Sequence, residues 1–154
     1  MRIQILAVGR AKAGPERALF DHYAGRTRQP FILELKEVEE KRALSGAELK
    51  RREGELLMAQ IPDGAIIIAL DERGKSIPSA DFAEKLEGWR DGGVRDVVLL
   101  IGGADGLDEA VRRKAALVLA FGAATWPHML VRGMAAEQVY RAGCILTGHP
   151  YHRE

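Results

Sequence analysis

The chain has 154 residues, 47% hydrophobic and 29% charged, which suits one globular domain with a real core. Its net charge of +1 rules out a global field that draws nucleic acid, and its longest apolar runs (65–70 and 97–101) are far too short to span a bilayer. Cys144 is the only cysteine, so no intrachain disulfide can form, and a reducing cytoplasm is the expected compartment.

The first six residues carry one charge and a strand-like pattern, without the apolar h-region of a signal peptide. Ile3, Ile5, Leu6 and Val8 predict a short strand ending at Gly9. Residues 10–15 read as a loop, with Pro15 suited to the first turn of a helix that runs to about Arg28. Leu19, Phe20 and Tyr23 form its buried face, flanked by Arg10, Lys12, Arg17, Arg26 and Arg28. Residues 1–60 hold 12 Lys and Arg against 9 Asp and Glu, a modest excess that allows phosphate contact without announcing it. His22 has no partner cluster and reads as a surface residue.

Residues 30–35 predict a second strand, and residues 36–42 a solvated, mobile connection. Ser45 and Glu48 have capping-box spacing; Leu49, Leu56 and Leu57 give the helix that follows its apolar edge. Lys50, Arg51 and Arg52 fall on its exposed side, a solvated face. Residues 65–70 predict a deeply buried strand that runs into a polar loop, 71–75. Ser79 is expected to cap the next helix, whose Phe82, Leu86 and Trp89 recur at i, i+4 and i+7 until Asp91-Gly92-Gly93 ends it.

Val97 to Ile101 are five consecutive apolar residues, as in a strand covered on both faces in a parallel sheet. The run stops at Gly102-Gly103, Gly106 follows, and Asp108 reads as the N-cap of a helix starting at Glu109. Strand, glycine turn and helix start place a pocket at the carboxyl end of a sheet strand, where open α/β folds bind ligands. A tight connection without a ligand fits the same residues. Residues 118–121 predict a further strand, and Gly122-Ala123-Ala124 a small-residue loop. Pro127 interrupts regular structure before a last helix over about 130–144. Val131, Ala135, Val139 and Ala142 share one face of that helix, Tyr140 and Glu137 point the other way, and Glu137 pairs with Arg141. The tail, with His149, Tyr151, His152 and Arg153, is rich in chemistry for an expected loose end.

No dinucleotide fingerprint, Walker A pattern or nucleophile elbow is present, and His149 and His152 lack the partners of a metal site, so no metal is expected. What remains is an α/β scaffold with three small-residue loops able to hold a nucleoside-like ligand.

Leu70 with Gly74-Lys75, the strand and turn 99–107, Thr125-Trp126-Pro127-His128, Arg132, Glu137, residues 140–142 and the tail 149–153 together resemble the RlmH family over essentially the whole chain. These are SPOUT-class methyltransferases acting on the N3 atom of a pseudouridine in large-subunit ribosomal RNA. The resemblance implies a single SPOUT-type α/β domain over 1–154, a mostly parallel sheet and a C-terminal trefoil knot. It implies S-adenosylmethionine held by Leu70, Gly102, Phe121, Gly122, Ala123, Ala124, Thr125 and Trp126. It also implies a homodimer in which the tail of one subunit reaches the other's cofactor, and ribosomal RNA within the ribosome as substrate. His128, Arg132, Arg141, Tyr151, His152 and Arg153 are the expected catalytic groups, with His128 or His152 accepting the N3 proton and the arginines holding phosphate or uracil carbonyls. Gly122 stands where the family commonly has a serine, and Gly133 lies inside the last helix at a cost of about 1 kcal/mol relative to alanine. Two other classes share these features: a non-catalytic RNA- or ribosome-binding module, and an α/β enzyme using another nucleotide.

Overall fold

A computed structural model describes residues 1–153. Ten elements follow one another as β1 (Arg2–Val8), α1 (Pro15–Arg26), β2 (Ile32–Val38), α2 (Gly46–Met58), β3 (Ile66–Lys75), α3 (Ser79–Asp91), β4 (Asp96–Ile101), α4 (Glu109–Arg113), β5 (Leu117–Leu119) and α5 (His128–Thr147). The strands form one sheet in the order β2-β1-β4-β3-β5, and every pairing is parallel.

The side-chain period of two splits the core into two layers. Ile3, Ile5, Ile68, Val97 and Leu99 meet Phe20 of α1, Phe82 and Leu86 of α3, and Ala135 and Val139 of α5 on one face. Leu6, Ala69, Val98 and Leu100 meet Leu57 of α2 and Val111 of α4 on the other. Because both faces are covered, β4 is an unbroken apolar run rather than an alternating one. Among the described residues no helix is long and apolar enough to cross a membrane.

Several expectations need correction. β2 continues to Val38, and Glu40 is tied to Arg42 (3.1 Å) and Arg52 (2.9 Å), so residues 36–42 are not a loose connection. Hydrogen bonds from Arg42 hold the Glu40 carboxyl down at about 2. β3 runs on through the residues expected to be a polar loop: a shift in register after Leu70 brings Lys75 opposite Leu119. Neither Ser45 nor Ser79 makes a capping hydrogen bond; the Ser79 hydroxyl donates to Gln138 Oε1 (2.8 Å) instead. Asp108 does cap α4, accepting from the Ala110 amide (2.7 Å). Tyr140 is turned inward, its ring centroid 4.7 Å from that of Tyr151 and 5.9 Å from that of Tyr23.

Gly133 brings α5 onto α1. A Cβ there would stand 2.6 Å from Leu19 Cδ2 and 2.7 Å from Leu19 Cγ. Gly133→Ala gains about 1 kcal/mol of helix propensity but overpacks a formed contact, which costs about 1–3 kcal/mol. The net expectation is a lower melting temperature, and combining the change with Leu19→Ala should lower it by less than the two single changes summed. Strict additivity in thermal melts would show that the contact does not set the spacing.

Candidate functional site

Three segments end at the carboxyl edge of the sheet: the end of β3 after Leu70, the turn after β4, and the chain between β5 and α5. They enclose a cavity of about 260 Å³. Its walls include Leu70, Ile101, Phe121 and Trp126, with bare backbone at Gly102, Gly103, Gly106 and Gly122. The turn after β4 is closed on itself, the Gly106 amide donating to the Gly103 carbonyl (3.0 Å). Gly102 permits this, since a Cβ there would lie 2.5 Å from the Gly106 carbonyl carbon. A Cβ on Gly106 or Gly122 would instead meet nothing within 4 Å, and both have positive φ (+79° and +87°). At those two points the main chain is open to a ligand.

The segment between β5 and α5 is closed on itself by one bond and tied to β3 by another. Trp126 Nε1 donates to the Phe121 carbonyl (2.9 Å), and the Thr125 hydroxyl donates to Glu72 Oε2 on β3 (2.7 Å). Below Glu72, Asp71 accepts from Arg73 (2.9 Å) and Arg112 (3.4 Å). Burial pushes the Asp71 carboxyl up, but the hydrogen bonds from Arg73 outweigh it and leave the group below its ordinary value. Glu53 of α2, behind Gly103, is pushed up by burial and by the nearby Asp105.

The structure gathers Leu70, Gly102, Phe121, Gly122, Ala124, Thr125 and Trp126 around this cavity, and His128 joins them; of the run 121–126 only Ala123 does not line it. Arg132 sits elsewhere. It is 1% exposed, and its terminal nitrogens donate to Glu37 Oε1 (2.5 Å), the Val8 carbonyl (2.7 Å) and the Gly9 carbonyl (2.9 Å). With those bonds made inside the core, the guanidinium is not placed to hold phosphate or a uracil carbonyl, contrary to expectation.

Arg141, Tyr151 and His152 form a second cluster against α5 and α1, and neither they nor Arg153, which is exposed, line the cavity. Arg141 pairs with Glu137 (2.5 Å), the Tyr151 hydroxyl donates to Glu137 Oε1 (2.9 Å), and Arg141 Nη1 lies 3.2 Å from His152 Nδ1. Burial raises the Tyr151 phenol above its ordinary value, so it remains a neutral donor to Glu137. Sequence reasoning missed Glu72 and Glu37. Their partners lie 53 and 95 residues away, and no local pattern links them. Among the described residues no group of three or more His, Cys, Asp or Glu could hold a metal ion.

A family described as predicted SPOUT methyltransferases matches residues 1–152. The chain belongs to the SPOUT methyltransferase family. Within it, the chain is similar to proteins named ribosomal RNA large subunit methyltransferase H. The one from Paramagnetospirillum magneticum is 60% identical over 153 residues, and the one from Rhodospirillum centenum 59%, each match covering 99% of both chains. Among solved structures, a probable methylase family protein from Haemophilus influenzae Rd KW20 superposes with a TM-score of 0.59 at 11% identity, covering 99% of this chain and 70% of that one. A second, described as giving insight into 2-OH methylation of C/U34 on tRNA, has a TM-score of 0.51 at 19% identity, covering 96% and 92%. At those identities the two likenesses show the SPOUT fold alone.

Proposed function

We propose that this chain transfers a methyl group from S-adenosylmethionine to the N3 atom of a pseudouridine in large-subunit (23S) ribosomal RNA, acting in the cytoplasm on the assembled ribosome. The observation that carries the reading is the cavity where bare backbone at Gly106 and Gly122 faces apolar Leu70, Phe121 and Trp126. Main-chain amides and carbonyls there suit the polar edge of an adenine, and the apolar walls suit its faces. When bound, the cofactor supplies an electrophilic methyl carbon on a sulfonium sulfur. The chain positions that carbon, excludes water and removes the imide proton. We assign the last task to His128, which lines the cavity.

Relatives named for ribosomal RNA support the substrate class. A net charge of +1 favours an assembled particle, which offers shape and protein contacts, over naked RNA held by charge. We assign the tail cluster to a second copy of the chain. Tyr151, His152 and Arg153 lie off their own cavity, so a homodimer is what brings them to a reacting base. An apolar groove of about 350 Å³ lined by Leu19, Tyr23, Gly133 and Met134 suits that packing. We assign the chain beyond β5 to the trefoil knot of its family.

The test is mass spectrometry of ribosomal RNA from cells with and without the gene. A methylpseudouridine present only with the gene supports the reading; identical spectra sink it and leave a binding module of the same fold. The Thr125–Glu72 bond gives a finer check. Thr125→Val should weaken S-adenosylmethionine binding about three- to tenfold, the worth of one hydrogen bond. Glu72→Gln keeps an acceptor oxygen and should change it little. Calorimetry that ranks the two variants the other way would remove that bond from the site.

A further inference from the structure

Arg132 is the only charged residue among those described that is fully buried. A buried cation is costly unless paired and bonded; here Glu37 pairs with it and the carbonyls of Val8 and Gly9 accept from its terminal nitrogens, while its Nε has no partner. The arrangement also reaches the cavity. Arg132 lies one helical turn after His128 on α5, so the two side chains share a face. Both converge on Gly9, where a Cβ would stand 3.8 Å from Arg132 Nη2 and 3.9 Å from His128 Nε2. Glu37 Oε1 also accepts from the Ala11 amide (2.8 Å), so one carboxylate fixes the chain after β1 and the guanidinium together.

We propose that the Arg132–Glu37 pair, by fixing the end of β1 at Gly9 against which His128 stands, positions His128 on the cavity wall to accept the N3 proton. This rests on the methyl-transfer reading above. In the step it serves, the N3 proton passes to the His128 imidazole and the N3 electron pair bonds the methyl carbon. The carbon–sulfur bond breaks with its electrons remaining on sulfur, and His128 later returns the proton to solvent. Arg132 does not touch the base; it is a positioning residue.

The charges around His128 agree. Burial and then the Arg132 cation lower its affinity for a proton. Burial lowers the Arg132 guanidinium below its ordinary value, Glu37 from β2 opposes that, and Arg17 from α1 adds to it. Asp71, Glu72 and Arg73 of β3 and Asp105 of the glycine turn line the same cavity; Asp71 is bonded to Arg73, and Glu72 to Thr125.

The two members of the pair therefore have opposite effects, which makes the proposal testable in the full-length chain. An NMR titration of the His128 ring should show a higher midpoint in Arg132→Gln, where the repelling cation is gone. It should show a lower midpoint in Glu37→Gln, where that cation is no longer offset. The acid limb of ribosome methylation should move in the same two directions. Arg132→Gln empties a buried pair and can fail to fold; Glu37→Gln alone then decides the sign. An unmoved His128 midpoint in Glu37→Gln overturns the proposal. So does a moved midpoint with an unmoved acid limb, which removes His128 as proton acceptor but leaves methylation standing. A wild-type chain that methylates no ribosome overturns the functional reading and this proposal with it.

Discussion

Gly102→Ala should lose at least tenfold in S-adenosylmethionine affinity and also lower the melting temperature. The new Cβ would lie 2.5 Å from the Gly106 carbonyl carbon, 2.6 Å from its oxygen and 2.8 Å from the Leu107 nitrogen. All three are backbone atoms, so no rotamer change relieves the clash, and the turn must open. Overpacking of this kind costs about 1–3 kcal/mol, and opening the turn shifts the bare backbone at Gly106 that the ligand is proposed to meet. A tenfold loss corresponds to about 1.4 kcal/mol of binding free energy. Calorimetry and a thermal melt on the same sample read both effects; wild-type affinity in a folded variant would show that this turn does not shape the site.

Gly74→Ala should act from the other side of the cavity. Its Cβ would stand 2.7 Å from the Leu119 nitrogen and from the carbonyl carbons of Leu119 and Val118. β5 has only three residues, so it has little pairing to lose. The Ala120 amide donates to the Lys75 carbonyl (3.0 Å) just past its end. Breaking that approach should cost about 1–3 kcal/mol and release the segment from Phe121 to Trp126. Hydrogen exchange is the direct measurement: the Leu119 and Ala120 amides should exchange faster, while those of β4 remain protected. Unchanged protection at Ala120 would contradict the packing described for β3 and β5.

The parts of the fold legible in the sequence are those where burial is complete. Residues 65–70 and 97–101 read as strands because helices cover both faces of the sheet and leave no polar position. The edge strand β2 was cut short for the opposite reason. Ile32 is 53% exposed, and Glu37 resembles a solvent residue until Arg132, 95 residues later, arrives to pair with it. The end of β3 looks like a loop because Asp71, Glu72 and Arg73 are polar, yet each side chain is bonded and the backbone still pairs with β5. Spacing over-predicts hydroxyl caps at Ser45 and Ser79, since it shows what a serine can reach locally and not the Gln138 that one of them bonds. Of the cavity, the glycines were legible because a turn after a buried strand announces itself. The Thr125–Glu72 bond and the buried setting of Arg132 were not, because both depend on contacts made only after the sheet closes.

Main chain at two small-residue turns is proposed to receive the methyl donor. The most direct measurement is a titration of S-adenosylmethionine into the isotopically labelled chain, followed amide by amide in NMR spectra. Saturable shifts are expected, centred on Gly102 to Gly106 and on Phe121 to Trp126, with Leu70 affected between them. Saturable shifts confined to the groove beside Leu19 and Tyr23, or no saturable shift at all, would contradict it.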